Sequence, residues 1–386
     1  MKQLMLLLTV LAGSVMVQAA TPEKTIELKD KTELPLVWSI PVESCVEQAV
    51  VDDTGPVPRL VAVRSSYQIQ FYNTNRQVTR AIRLWSAQPI PTKFSLDDWS
   101  YSRKCPSGGG GLSLDGEYYW IRNDAGEPFG TIFRKDGTSV ATALGYPIFS
   151  ENTIIHVGEG QLTTTDYKGN HIEVMSFPDP GDVLSCNSGL LINDLHWNIT
   201  YANLRGKVVF RHRPLIGQDI SQDCQSIVGV TRSEPGVLYV LNEEGKVRHH
   251  IPLETSGLNA GVKISPDGTC AAIATSEAIY FCDIKAGKIL WMIRAKISGI
   301  HFRSRPPALS ISKDNNYIGF TAIMPGLDHG EQLIANHSGQ ITLRYPAGLY
   351  GCYVFELLCN GRFILMDDYQ SLKLYRNPSI VEDVKP

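Results

Sequence analysis

The sequence predicts an all-β chain closed into a single β-propeller of eight four-stranded blades. Three observations carry this. Tyr, Thr, Val and Ile run throughout, 33 glycines and 22 prolines are spread over 386 residues, and almost no segment shows helical periodicity. Residues 261–294 read as four short strands joined by three turns. A glycine turn then recurs at Asp136-Gly137, Lys168-Gly169, Arg205-Gly206, Glu244-Gly245, Ala286-Gly287 and Ser338-Gly339, in steps of 32, 37, 39, 42 and 52 residues. Units of about 40 residues imply a stacked or circular array, and four strands per unit favour the circle.

The unit at 261–294 is the template. Pro266-Asp267-Gly268 supplies a fixed φ, a side chain that bonds its own backbone and a residue tolerant of φ > 0, so the chain reverses after Ile264. It returns through residues 270–275, small and apolar on both faces, as a strand between two other sheets must be. Residues 278–282 follow, and after the next turn residues 288–294 alternate Ile289, Trp291 and Ile293 against Leu290, Met292 and Arg294. A Ser-Xaa-Asp turn joins the first two strands here and at Ser113-Leu114-Asp115 and Ser312-Lys313-Asp314. Residues 67–84 form an earlier unit with Asn in the turn, and residues 351–376 form a last one. That makes eight, or seven if the weakly marked innermost strands of the units at 185–213 and 226–253 are not separate.

Lys2, the apolar run at 4–15 and the small residues before position 21 read as a signal peptide over residues 1–20. Residues 21–33 are polar and read as a tether, residues 34–378 as the propeller, and 379–386 as a C-terminal tail. The apolar run is too short for an anchor, and no later stretch approaches the roughly twenty apolar residues of a membrane helix. The expectation is an exported chain, periplasmic or extracellular, with no membrane span. A strand at 34–40 contains Pro35, which confines it to a sheet edge. The last unit offers only three strands, so the N-terminal strand is expected to supply its fourth and hide the final open edge.

Setting Lys2 aside leaves 35 basic residues (36 − 1) against 39 acidic ones. Such a balance carries no basic footprint for nucleic acid. Eight cysteines, at 45, 105, 186, 224, 270, 282, 352 and 359, favour disulfides in an exported chain. Cys270 and Cys282 lie on neighbouring strands, nearly opposite if the turn centres on Ser276, and form the disulfide candidate. A one-residue shift in that turn separates them, and buried free thiols are the other reading.

The run Asp283-Ile284-Lys285-Ala286-Gly287-Lys288-Ile289-Leu290-Trp291 resembles the tryptophan-docking repeat of quinoprotein alcohol dehydrogenases, in which glycine makes the turn and tryptophan packs between blades. With the repeat array, the mature chain resembles the WD40-like and quinoprotein-like propellers of exported bacterial proteins. The Trp-Asp dipeptide of WD40 repeats is absent, as is the adjacent Cys-Cys pair that the dehydrogenases place beside their quinone. The resemblance therefore implies the fold and carries over no active site, cofactor or metal.

Loops joining second to third strands and loops joining successive blades leave a propeller on the same face. By that rule the long connections at 85–110, 295–306 and 322–331 crowd one rim beside the eighth blade, where long loops on a rigid scaffold carry binding. The candidate contacts are Trp99, Tyr101, Arg103, Lys104, Arg303, Arg305, Asp328 and His329. Exposed aromatics with mixed charge suit a sugar or a peptide. Ordinary insertion tolerance at a surface would give the same loops, and Asp328, His329 and Glu331 read more simply as a solvated turn than as metal ligands. His249-His250 sits in an outer strand whose alternation sends the rings to opposite faces, and Arg211-His212-Arg213 reads as an edge protected by charge. No nucleophile elbow, phosphate-cradling glycine loop, metalloprotease helix or zinc cysteine motif occurs. The expected function is a non-catalytic exported propeller that binds a protein or glycan partner through one face. The alternative is an exported propeller enzyme, a quinone-linked oxidoreductase or a carbohydrate-active hydrolase.

Overall fold

A computed structural model of the chain describes residues 23–25, 34–42, 46–65, 68–84, 110–113, 115–122, 130–149, 153–158, 161–176, 180–194, 197–204, 207–212, 214–257, 260–294, 301–302, 309–323, 330–346, 355–367 and 371–380. These form eight sheets, each built on four antiparallel strands that run in chain order from the inside of a ring to its rim in blades 1 to 7. The count is eight because the two weakly marked inner strands exist, as Pro180–Ser185 in blade 4 and Ile216–Ile220 in blade 5. In blade 7 the inner position is shared by Leu309–Ile311 and His301–Phe302, so part of the connection expected at 295–306 pairs with the sheet.

Blade packing follows from the middle strands. Cys270–Ala274 is buried at every position, as is Phe363–Asp367, because both faces meet neighbouring blades. Outer strands are wetter, as in Val208–His212, where no residue is fully buried. The glycine turns join the third strand to the outer one. In blades 1 to 7 that ladder carries a register shift beside the turn. Such a bulge needs a residue at positive φ, which glycine adopts without strain. In blades 3, 5 and 7 an Asx residue three positions before the glycine completes the turn: Asn242 Oδ1 accepts the backbone N–H groups of Glu244 and Lys246 at 3.1 and 2.8 Å, and Asn336 Oδ1 those of Ser338 and Gln340 at 3.1 and 3.0 Å.

These turns also interlock the ring. Trp291, 1% exposed, reaches from the outer strand of blade 6 to the turn of blade 7, where its Nε1 donates to the carbonyl of His337 at 3.0 Å. A Cβ at Gly339 would stand 2.8 Å from the Trp291 ring. Glycine is therefore required at this position twice over, for its φ of +79° and for the space. This is the docking expected of the Asp283-to-Trp291 repeat.

Closure follows the predicted route. Leu36–Pro41 pairs antiparallel with Ser371–Arg376 as the outer strand of blade 8, with Ile40 opposite Leu372. Trp38 and Ile40 join Val46, Leu60, Leu372 and Leu374 in one cluster across blades 8 and 1. The expected tether is partly structured, because Glu23–Thr25 adds a fifth, parallel strand to the rim of blade 6.

The cysteine expectation needs correction. Cys270 stands opposite Asp283, and Ala271 stands opposite Cys282. This one-residue offset sends the two thiols to opposite faces of the sheet, Cys270 into the core shared with blade 7 and Cys282 into the core shared with blade 5. Both are free and buried, as is Cys359. The disulfide among the described residues joins Cys186 to Cys224, with Cα atoms 5.5 Å apart, and ties blade 4 to blade 5.

Candidate functional site

The eight inner strands surround a central cavity of about 1590 Å³. Strand alternation dictates its wall. In Gly261–Ile264 the lysine alone is exposed, and in Phe355–Leu358 the glutamate alone is, so the apolar residues pack between blades while Lys263 and Glu356 face the lumen. An inner strand has no further strand to satisfy its inward edge. Side chains of the preceding blade do so at three junctions. Gln48 exchanges two hydrogen bonds with the backbone of Leu112, Asp219 Oδ2 accepts from Ile264 N at 2.9 Å, and Ser310 Oγ accepts from Leu357 N at 3.0 Å.

The lumen charges are mostly matched. Lys263 Nζ lies 3.5 Å from Asp219, Lys313 Nζ lies 2.8 Å from Asp53, and Lys135 pairs with Glu117. Glu356 has no hydrogen bond or ion pair among the described residues. Enclosure by the ring raises its carboxyl above the ordinary range, opposed by Lys263 and reinforced by Asp53. Its side chain is open to lumen solvent, which the ring restricts on all sides. No group of three His, Cys, Asp or Glu side chains suited to a metal occurs among the described residues.

One mouth of the channel is stitched by the turns between first and second strands. Four of them repeat a single device, at Ser113, Ser221, Ser265 and Ser312. Each serine Oγ donates to the aspartate two positions on, at 2.5 to 2.7 Å, and accepts a backbone N–H five positions on, at 2.9 to 3.0 Å. Cross-links then join turn to turn. Asn187 N donates to Gln222 O at 2.9 Å beside the Cys186–Cys224 bridge, Ser226 Oγ donates to Gly268 O at 3.4 Å, and Asn315 Nδ2 donates to Asp267 at 2.9 Å. Partial burial opposes ionisation of Asp267, but hydrogen bonds from Ser265, Asn315 and Thr269 together hold its carboxyl below the usual range. Tyr118 and Tyr167 stack at 4.3 Å on this mouth.

No protein-family model matches the sequence, and no curated protein matches it. Solved structures do. The ring is similar to the computationally designed Ika8 protein, with a TM-score of 0.61 and 11% identity over 89% of this chain and 100% of that one. It is similar to BamB from Moraxella catarrhalis, with a TM-score of 0.57 and 13% identity over 89% and 100% of the two chains. It is also similar to the C-terminal WD40 domain of Sif2, with a TM-score of 0.58 and 10% identity over 91% and 100%. The shared feature is the propeller fold.

The predicted contacts Trp99, Tyr101, Arg103, Lys104, Arg303, Arg305, Asp328 and His329 lie outside the described residues. Their anchor points are described. Antiparallel strand order puts the end of Val78–Arg83, the start of Gly110–Leu112, the end of Lys288–Arg294, and the facing ends of Tyr317–Ile323 and Gly330–Asn336 on the face opposite the serine turns. Glu331 is no solvated turn residue: it is a strand residue, 3% exposed, gripping the Arg344 guanidinium through Nε and Nη2. The paired histidines diverge as alternation requires, with His249 Nε2 3.0 Å from the Lys285 carbonyl and His250 packed at a tilt against Tyr239.

Sequence reading passed over Lys263, Glu356 and the fourth serine turn, Ser221-Gln222-Asp223. Each had a signal. Lys263 and Glu356 are single charges inside short apolar strands, and Ser221 repeats a motif already recognised three times.

Proposed function

We propose that this chain is a non-catalytic, exported binding propeller that holds a protein partner through the loops on the face opposite its serine turns. One observation carries the reading. Strand order puts the anchor points of three long connections, between blades 1 and 2, between blades 6 and 7 and within blade 7, on that face, while turn-to-turn bonds and a disulfide tie down the other face. Trp99, Tyr101, Arg103 and Arg305 are the proposed anchors, since aromatic and arginine side chains concentrate interface energy. The N-terminal segment and the inter-blade disulfide support export. Affinity capture from an envelope fraction is the test, with the intact chain beside Trp99→Ala and Tyr101→Ala. Loss of one defined partner with an unchanged melting temperature is expected. Full retention of that partner by both variants, or a melting temperature lowered as for a core tryptophan, would reject the assignment.

A further inference from the structure

The wall of the lumen has two unlike arcs. Its lysines are engaged by carboxylates, Lys263 by Asp219, Lys313 by Asp53 and Lys135 by Glu117. What remains among the described lining residues is Arg134 against Asp115, Asp136 and Glu356, an excess of two negative charges (3 − 1). Asp115 accepts from Ser113 Oγ and from Glu117 N, and Asp136 accepts from Thr138 N at 2.8 Å. Glu356 accepts from no described group, so the enclosure that raises its carboxyl goes without an offsetting partner. Across the ring, four blades away (8 − 4), the inner strand Pro180–Ser185 of blade 4 shows Val183 and Leu184, both half-buried, to the lumen. Ile148 of blade 3 lines the lumen with them and packs in the same cluster as Val183. One arc therefore carries an unmatched carboxylate, and the facing arc is apolar.

We propose that the lumen binds a small organic amine, with its ammonium group on Glu356 and its apolar body on Ile148, Val183 and Leu184. Charge selects the ligand. A wall with excess negative charge, enclosed by protein, concentrates cations, and the lumen lysines are already matched and offer an anion little. The donor set selects among cations. A metal ion needs several ligands converging on one point, whereas a single carboxylate serves an ammonium group through a charge-assisted hydrogen bond. Lys263 leaves the position open, because it reaches toward Asp219 of blade 5, with Nζ 3.5 Å away, rather than closing on Glu356 of blade 8. The cavity, at about 1590 Å³, has room for the ligand and for water on the remaining ammonium hydrogens. An apolar body adds affinity by leaving water for the Val183 and Leu184 arc. The site lies inside the ring and stands whether or not the loop face binds.

The test titrates hexylammonium and hexan-1-ol against the full chain by calorimetry. The two share an apolar body, and hexylammonium should bind about tenfold or more tightly. From propylammonium to hexylammonium the affinity should rise about three- to fourfold per methylene, as burial of hydrocarbon requires. Glu356→Gln keeps the shape of the side chain and removes its charge, so it should weaken hexylammonium by about tenfold or more and leave hexan-1-ol unchanged. Lys263→Gln removes the cation acting on Glu356 and should tighten hexylammonium. That gain should vanish when Glu356→Gln is added, which separates Glu356 from the uncovered Asp219. Amide exchange should slow on binding at the inner strands of blades 4 and 8. Equal affinity for hexylammonium and hexan-1-ol, no binding of hexylammonium to the intact chain, unchanged affinity in Glu356→Gln, or protection away from those inner strands would each overturn the proposal.

Discussion

Replacing Trp291 with alanine tests the blade-to-blade interlock directly. The ring is 1% exposed and spans from blade 6 to the turn of blade 7. A tryptophan buries about 150–250 Å², which at about 25 cal/mol per Å² amounts to roughly 4–6 kcal/mol. Truncations of large aromatics cost about 3–5 kcal/mol once neighbours relax. The His337 carbonyl also loses its donor, a loss of about 1 kcal/mol. We expect about 4–5 kcal/mol by denaturant unfolding. For a ring of roughly 350 residues this corresponds to about 6 °C in melting temperature. Trp291→Phe, which keeps a ring and loses the donor, should cost about 1–2 kcal/mol. The second half of the test is coupling. Gly339→Ala is expected to be destabilising because its Cβ meets the indole, and part of that cost should vanish in the Trp291→Ala background. Strict additivity of the two substitutions, or a loss below about 1 kcal/mol for Trp291→Ala, would refute the interlock.

Burial holds His156 neutral, with its pKa pushed down to about 4, while Nδ1 accepts from Leu144 N at 3.2 Å and Nε2 lies 2.9 Å from Thr165 Oγ1. The unfolded chain takes up a proton that the fold refuses, so this contribution is complete above about pH 6.5. It should fall by about 3 kcal/mol as pH drops toward 4, and His156→Gln should flatten that slope in unfolding titrations. The Cys186–Cys224 bridge closes a span of 38 residues, worth about 4 kcal/mol of chain entropy. Reductant should lower the unfolding midpoint of the intact chain by clearly more than that of a Cys186→Ser, Cys224→Ser chain. Removing residues up to Pro41 should expose the edge of Ser371–Arg376 and lower the melting temperature clearly, and an unchanged melt would reject the closure.

Fold class was legible because turns are local. Asp267-Gly268 and Ala286-Gly287 fix their reversals with side chains inside the turn itself, so repeat length and strand count could be read from spacing. Closure was legible too, since Pro35 and a three-stranded last unit each left one gap that the other fills. Pairing of the cysteines was not, because a single residue of slip at residues 275–277 sends Cys270 and Cys282 to opposite faces while barely altering the local pattern. The Cys186–Cys224 bridge depends on two turns of different blades meeting, which no local signal encodes. The same holds for the lumen. Lys263 and Glu356 stand out in their strands, but only the packing of blade 6 on blade 5 brings Lys263 beside Asp219, and only closure of the ring brings Glu356 within the field of both Lys263 and Asp53.

The N-terminal closing strand has a consequence for how the molecule is made. Ile40 pairs with Leu372, 332 residues further on (372 − 40). A chain delivered N-terminus first releases this strand at the outset and supplies its partner almost last. Throughout that interval Trp38 and Ile40 have only the blade 1 half of their cluster to pack on, and the ends of a long coil must still meet, at an entropic cost of about 5 kcal/mol from length alone. Blades 1 to 7 can condense as they emerge, each from contacts within about 50 residues. The ring itself stays open until the final strand arrives, so assembly should show a late, slow phase in which the fluorescence of Trp38 changes after most β-structure is in place.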